Sequence, residues 1–225
     1  RRAGRPAEAL AVTAGTYILA LNAIENAKLM LASYEEDRRF SDERSPLGKN
    51  LMDHPFVMTW GESAEPLGTY RGPSSTAGIE TLRDGAFRSK FAAFRIEVGN
   101  WGWDLPNGDP YTTAFELIDG RGGGKPMFGA ALRGTLEHRL QRQVRLGALI
   151  EQLPDPRNRV EVKKEWKSEL GEHRPVIHYG FTDYEIESFD WYRSVSEAVF
   201  TQGGVANRTD WSSPNLPGQS ILREG

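Results

Sequence analysis

The first clear pattern in the chain is a short apolar run that passes directly into a helical one. Residues 16–21 read Thr-Tyr-Ile-Leu-Ala-Leu, a mostly apolar stretch typical of a buried strand in a parallel sheet. Residues 24–33 follow with apolar side chains at helical spacing, and Asn22 is placed to cap that helix. The pattern therefore predicts a strand, a tight turn and a helix, which together make half of a βαβ unit.

Further along the chain, alternating or continuous apolar stretches predict several more strands. Between them, residues 61–85 are rich in Gly, Pro, Ser and Thr, which predicts a long loop with one helical turn near residues 79–83. Residues 154–158 contain two prolines and are predicted to join two of the strands. The predicted strands cover residues 56–60, 91–98, 146–153, 159–163 and 175–181.

Two more helices complete the predicted elements. Residues 129–144 carry leucines spaced by four, and a longer helix begins at Thr182 or Asp183 and ends at Gly203-Gly204. The apolar face of the longer helix consists of Ile186, Phe189, Tyr192, Val195 and Val199. The order of elements predicts a mixed α/β piece that leads into an α+β domain with an antiparallel sheet.

The composition is that of a folded globular chain with no electrostatic preference for polyanions. The 225 residues suffice for one large domain or two small ones, and ten Phe, seven Tyr and six Trp supply the bulk of a core. A formal charge of −3 without a basic stripe argues against a nucleic-acid partner or an anionic membrane surface. No apolar run approaches the roughly 18 residues that a membrane span needs.

Cysteine is absent, and this excludes several kinds of site. Disulfides, thiolate zinc sites, iron–sulfur clusters and thiol catalysis all need it, while the redox compartment stays undecided. The chain has no initiator Met, and no apolar stretch follows Arg1-Arg2-Ala3-Gly4-Arg5. We therefore expect no signal peptide here and interpret the chain as a piece of a longer protein.

Common catalytic and binding motifs are missing or incomplete. The four histidines (His54, His138, His173 and His178) do not pair at helical metal-ligand spacing, so no zinc site is predicted. The glycine tract at residues 120–125 resembles a phosphate loop, but Asp119 and Pro126 stand where that loop needs Gly and Ser or Thr. Neither a dinucleotide-binding G-x-G-x-x-G after a strand nor a G-x-S-x-G elbow is present.

Aromatic side chains are the remaining candidates for a binding surface. They can stack on the faces of a sugar in a cleft, although aromatics are more often part of a core, and both interpretations stay open. The aromatics concerned are Trp101, Trp103, Phe115, Tyr179 and Trp191. Residue chemistry alone does not identify a reaction.

Four segments, taken together in their order and spacing, resemble the glucose–methanol–choline family of FAD-dependent oxidoreductases, especially its bacterial sugar and polyol members. The first is the strand and helix of residues 17–33, with Asn22 in the place of the family's glycine. The second, Gly48-Lys49-Asn50-Leu51-Met52-Asp53-His54-Pro55, is similar to a Gly-x-Asn-Leu-x-Asp-His segment. The others are residues 71–80 and residues 151–160 followed by 175–179.

The resemblance implies a fold and a division of the chain. It implies the α/β tail of an FAD-binding Rossmann-like domain plus an α+β substrate domain with a mostly antiparallel sheet that forms one wall of the active site. Residues 1–60 would be the C-terminal part of the FAD-binding domain, residues 61–203 the substrate-binding domain, and residues 204–225 a truncated segment that returns to the FAD domain.

The resemblance also implies the positions of cofactor contacts. Ala20, Leu21 and Asn22 would touch FAD on its adenine side, and Asn50, Asp53 and His54 would shape its neighbourhood. The candidates for the substrate wall are aromatics that no family motif specifies: Trp101, Trp103 and Tyr179.

The activity implied is oxidation of a CH–OH group of a sugar, glycoside or polyol by hydride transfer to the flavin, with the electron acceptor unknown. The family's G-x-G-x-x-G unit is expected before Arg1, and its catalytic histidine with a His or Asn partner after Gly225, so no catalytic residue is predicted within the chain. Two alternatives stay open: a non-catalytic carbohydrate-binding module, against which the predicted strand and helix argue, and a degenerate relative without catalysis.

Overall fold

The structure is a computed structural model and describes residues 11–38, 45–68, 75–99, 115, 117–120 and 124–208, with the backbone alone at residue 76. The elements in chain order are α1 (Ala23–Glu36), β1 (Phe56–Glu62), β2 (Ser75–Ile79), β3 (Phe94–Gly99), α2 (Gly129–Arg142), β4 (Gln143–Ile150), β5 (Arg159–Lys167), β6 (His173–His178) and α3 (Asp183–Gln202), with a 3₁₀ helix at Ala86–Ser89.

The chain divides into two compact units. The first unit consists of Arg1–Asp53 and Leu153–Gly180, and the second of His54–Gln152 and Phe181–Gly225. The division into two compact units does not show what either unit binds. The assignment of cofactor and substrate domains therefore remains a prediction.

The first unit is a two-stranded antiparallel sheet with one helix. β5 pairs with β6 in a register that sets Val160 opposite Ile177, and α1 contacts both strands. The Asn22 side chain accepts a hydrogen bond of 2.9 Å from the Ile24 backbone N–H, which satisfies one of the free donors at the helix start. The predicted helix and its cap are therefore confirmed.

The predicted strand at residues 16–21 is wrong. These residues form no strand and have no strand partner among the described residues, and their side chains are exposed: Tyr17 by 65% and Ile18 by 83%. An apolar run becomes a buried strand only when neighbouring strands pair with it and cover both faces, and the described chain provides no such neighbours. The Rossmann-like tail is therefore not seen, and the argument that this strand offered against a binding module is lost.

The second unit is built on a four-stranded sheet that is antiparallel throughout, in the order β1-β4-β3-β2. β4 is central, with Leu149 paired to both Phe56 and Arg95. One face of the sheet is buried in a core with α3, to which β3 and β4 contribute Phe94, Ile96, Val144, Leu146, Ala148 and Ile150. The predicted mixed α/β chain with antiparallel strands is confirmed at this level.

Two details of the predicted elements differ from the structure. β2 lies within residues 61–85, which were predicted to be a loop, and it is held by pairing with β3 rather than by any alternation of its own. α2 passes into β4 without a loop, so the helix ends two residues earlier than predicted and the strand begins three earlier. Residues 154–158 join two strands as predicted, β4 and β5, and these strands belong to different sheets.

Helix α3 is fixed at its start and along its buried face. The Thr182 N–H donates to the Glu185 carboxylate at 2.7 Å, and the Thr182 side chain accepts from the Glu185 backbone N–H, which together form a capping box. The buried Tyr192 hydroxyl donates to the Leu146 carbonyl at 2.7 Å and lies 3.0 Å from Thr59 Oγ1. Burial raises the pKa of Tyr192, so the phenol stays protonated and ties the helix to the sheet.

Candidate functional site

The Gly48–His54 motif begins as a turn that is hydrogen-bonded to the start of β5. The Val160 N–H donates to the Gly48 carbonyl at 2.7 Å, and the Leu51 N–H donates to the Asn158 carbonyl at 2.8 Å. Lys49 forms an isolated antiparallel bridge with Arg159. The turn at the start of the motif is therefore held by backbone bonds inside the first unit.

Two residue types of this motif are explained by the backbone. Gly48 has φ = +77°, and a side chain there would place its Cβ 2.5 Å from the Val160 carbonyl oxygen and 3.0 Å from Leu31 Cδ1. Asn50 has φ = +59°, a left-handed conformation that asparagine adopts more readily than most residues. The Gly-x-Asn spacing thus meets a conformational requirement, whatever else Asn50 does.

The buried Asn158 links this turn to the end of β6. Its side-chain amide donates to the Gly180 carbonyl at 3.0 Å and accepts from the Gly180 N–H at 2.9 Å. The pair of bonds fixes the backbone beside Tyr179, whose side chain is 38% exposed. Sequence analysis did not single out Asn158, although its place two residues after Pro156 in a polar turn is a position where asparagine is common.

The predicted cofactor residues are only partly brought together. The first unit contains Ala20, Leu21, Asn22, Asn50 and Asp53, and also Tyr179 of the predicted substrate wall. Asn50 is half-buried in the motif turn, whereas the other four residues of this predicted cofactor set are exposed. His54 is exposed and belongs to the second unit. Trp101 and Trp103 lie outside the described residues.

The described residues include an exposed apolar segment beside α1 but no pyrophosphate-binding turn. The exposed Ala20 and Leu21 give apolar surface that an adenine ring could contact, and the amide of Asn26 bonds to the Leu19 and Leu21 carbonyls at 3.4 Å and so holds this segment against α1. A pyrophosphate is bound by a glycine-rich turn that connects a strand to a helix. The described part of the chain contains no such turn.

A carboxylate between two basic groups lies on the β5–β6 hairpin. Glu161 Oε1 accepts from Arg159 Nε at 2.6 Å, and Glu161 Oε2 is 3.1 Å from His178 Nε2. The Arg159 guanidinium, with a smaller contribution from His178, holds the pKa of Glu161 below its usual range. A carboxylate so stabilised in its charged form is a structural ion-pair group rather than a base poised near neutral pH.

The second unit carries a buried arginine that sequence analysis missed. Arg145, in the central strand β4, is 2% exposed and lies opposite Trp60 on β1 and Gly99 on β3. The predicted strand began at residue 146 and so left this position out. A strand begun at Gln143 would have placed Arg145 on the sheet face opposite the apolar core, as the alternation of side chains requires.

Among the described residues no three His, Asp or Glu side chains come close enough together to hold a metal ion. In that part of the chain no helix is long and apolar enough to cross a membrane.

Comparison with known proteins gives one informative similarity. No protein-family model matches the chain. The chain is 30% identical over 221 residues to the fructose dehydrogenase large subunit of Gluconobacter japonicus. The similarity covers 94% of the chain and 38% of the relative, so the chain spans little more than a third of that protein's length. By its name, the relative is a subunit of a sugar dehydrogenase.

Proposed function

We propose that the chain is part of an FAD-dependent oxidoreductase that oxidises a CH–OH group of a sugar or polyol. The observation that carries this proposal is the similarity to a fructose dehydrogenase large subunit along 94% of the chain. A similarity that runs through both units favours a shared architecture over a chance match to one motif. The four segments that resemble the glucose–methanol–choline family support the same conclusion from separate positions.

The domain assignment proposed for the chain follows from the resemblance. Residues 1–60 would belong to the FAD-binding domain, residues 61–203 to the substrate domain, and residues 204–225 to a return segment. The antiparallel sheet β1-β4-β3-β2 supports the second assignment because it supplies a continuous surface of the kind expected for a substrate wall. Trp101, Trp103 and Tyr179 remain the proposed aromatic contacts with the sugar.

In this proposal the residues of the chain only position the cofactor. Bound FAD would supply the hydride acceptor. Ala20, Leu21 and Asn22 would lie along its adenine end, with Asn50, Asp53 and His54 in its neighbourhood. The motif turn would serve this purpose through its shape, because Gly48 and Asn50 in left-handed conformations hold a compact backbone against β5. We assign no proton transfer to any residue of the chain.

Purification of the full-length protein that contains this chain tests the proposal. The expected result is yellow, flavin-type absorbance, together with reduction of an artificial electron acceptor on addition of a sugar. The panel consists of D-fructose, D-glucose and D-sorbitol, and each assay without sugar is the control. A protein that stays colourless with added FAD and reduces no acceptor would contradict the proposal.

The same preparation separates the alternatives. A carbohydrate-binding module predicts sugar binding without flavin, and a degenerate relative predicts flavin without sugar-dependent reduction. Within each unit of the structure the sheet packs on a helix, α1 in the first and α3 in the second, whereas a sheet-on-sheet sandwich is common among binding modules. We therefore rank the enzyme first.

A further inference from the structure

Asn158 lies between two segments of the first unit and is bonded to both of them. The residue is 4% exposed, and its backbone carbonyl accepts from the Leu51 N–H, in the turn that begins the Gly48–His54 motif, at 2.8 Å. Its side-chain amide donates to the Gly180 carbonyl at 3.0 Å and accepts from the Gly180 N–H at 2.9 Å. The backbone of Asn158 therefore holds the motif turn, and its side chain holds the segment that follows β6.

The chemistry of an amide explains why asparagine occupies this position. The paired register of β5 and β6 ends with Arg159 and His178, so Gly180 lies beyond the ladder. One planar amide carries both donors and an acceptor, and it can therefore bond the N–H and the carbonyl of a single residue at once. The Asn158 side chain thus continues the backbone bonding of β6 past the end of the strand.

Tyr179 lies between the last residue of β6 and the glycine that the amide holds. Its side chain is 38% exposed, and that of Ile177 in β6 is 49% exposed. These side chains add apolar surface to the first unit instead of filling its core. A tyrosine ring can stack on the apolar face of a sugar, and less ordering free energy is lost on binding when the backbone of the tyrosine is already fixed.

We propose that Asn158 is a positioning residue, which fixes the backbone of Tyr179 so that the tyrosine ring stacks on the sugar substrate. The inference rests on the proposed function, in which Tyr179 contacts the sugar, and deepens it by naming the group that sets the position of the ring. Asn158 itself touches no substrate. Its side chain acts on Tyr179 through Gly180, while its backbone bond to the motif turn does not depend on the side chain.

The substrate class that follows is a sugar in its ring form. A closed sugar ring presents a flat face of C–H groups to an aromatic ring, whereas an open-chain polyol has no fixed face of this kind. Changes at Tyr179 should therefore raise the KM for the ring sugar that the wild type oxidises, D-fructose or D-glucose, more than the KM for D-sorbitol.

The first measurement compares Tyr179→Ala and Asn158→Ala in the full-length protein. Loss of the ring should raise the KM for the ring sugar by about twofold to tenfold and leave kcat unchanged, because stacking binds substrate and transition state alike. Asn158→Ala should raise this KM by no more than Tyr179→Ala does, since the ring is still present. Flavin content should equal that of the wild type in both variants, because the backbone bond to Leu51 remains.

The double variant decides whether Asn158 acts through the ring. If it does, Asn158→Ala should not change KM once residue 179 is alanine, and the double variant should match Tyr179→Ala. A merely structural role of Asn158 would instead multiply the two changes in KM. That result would overturn the proposal, and so would a wild-type KM in a folded Asn158→Ala or Tyr179→Ala protein.

Ser188→Ala in the second unit is the matched control for lost stability. Ser188 is fully buried and its hydroxyl accepts from the Ala92 N–H at 2.7 Å, so this change also leaves a backbone N–H without its bond. It should lower thermal stability without changing KM, and a raised KM would overturn the proposal because KM would then follow stability. If Asn158→Ala fails to fold, Asn158→Asp, which keeps an acceptor for the Gly180 N–H, replaces it in the same comparison with Tyr179→Ala.

The outcomes also separate this inference from the proposed function. A wild-type KM in the folded variants overturns the role of Asn158, while reduction of the flavin by the sugar still supports the proposed function. A wild-type protein without flavin whose D-fructose binding, measured by calorimetry, is weakened by Asn158→Ala and by Tyr179→Ala overturns the proposed function alone. A wild-type protein with neither flavin nor sugar binding overturns both.

Discussion

At the scale of single residues, the motif turn shows that a family-like pattern can have a backbone cause. Position 48 requires glycine because its φ is positive and the Val160 carbonyl approaches it closely. Asn50, two residues later, adopts a left-handed conformation. Both requirements would exist without any cofactor. The contribution of the Asn50 amide to FAD binding therefore has to be tested separately from its contribution to the turn.

Two substitutions at Asn50 make that separation. Asn50→Gly keeps the left-handed backbone and removes the amide, whereas Asn50→Ala also strains the backbone, at a cost of roughly 1 kcal/mol. If Asn50 contacts FAD, Asn50→Gly should bind less flavin per protein than the wild type at near-equal thermal stability. Flavin content that falls only in Asn50→Ala would mean that the amide has no part in the site.

Glu161 predicts a pH dependence of stability. Its pKa is lowered in the folded state, mainly by the hydrogen bond from Arg159, so the charged form is favoured by folding. The resulting stabilisation is present above the unfolded-state pKa and is lost as pH falls through the lower, folded-state pKa. About a third of the side chain is exposed, so solvent screening keeps the contribution below about 1 kcal/mol.

The measurement is thermal unfolding of the wild type and Glu161→Gln from neutral pH into the acid range. The wild type should be the more stable at neutral pH, and the difference should shrink as the carboxylate is protonated. In an Arg159→Gln background the substitution should change the pH dependence much less. A difference that stays constant from neutral to acid pH would show that the ion pair contributes nothing to folding.

At the scale of elements, the helices were predictable because they carry their own start and stop signals. Asn22 caps α1 and Thr182 caps α3, and the predicted ends at Gly203-Gly204 lie just past Gln202. Strands with clear alternation were located to within a few residues. β2 was missed because Ser-Thr-Ala-Gly-Ile has no pattern of its own, and residues 16–21 were wrongly assigned because apolar character does not create the strands needed to bury it.

The capping box of α3 gives a prediction at this scale. Thr182→Ala removes the side-chain oxygen that accepts from the Glu185 backbone N–H and should lower the free energy of unfolding by about 1 kcal/mol. Thr182→Ser keeps a hydroxyl at the same position and should stay close to the wild type. Denaturant unfolding measures both, and equal stability of Ala and Ser variants would exclude a role for the side chain in the cap.

At the scale of the whole molecule, sequence and structure contribute different parts of the account. The antiparallel character of the chain was predictable from alternation, and the relation to a sugar dehydrogenase subunit agrees with the family resemblance at a coarse level. The residues of the site were less predictable. Trp101 and Trp103 lie outside the described residues, while the buried Arg145 became visible only when three strands were paired and their shared faces could be compared.

The central claim at this scale is that the protein binds FAD, because a bound flavin distinguishes an oxidoreductase from a carbohydrate-binding module. A single spectrum of the full-length protein under anaerobic conditions, before and after D-fructose is added, tests it most directly. We predict a flavin absorbance that bleaches on addition of the sugar and returns when an artificial electron acceptor is supplied. A protein that binds no flavin, or whose flavin keeps its oxidised spectrum with every sugar and polyol in the panel, would contradict the account.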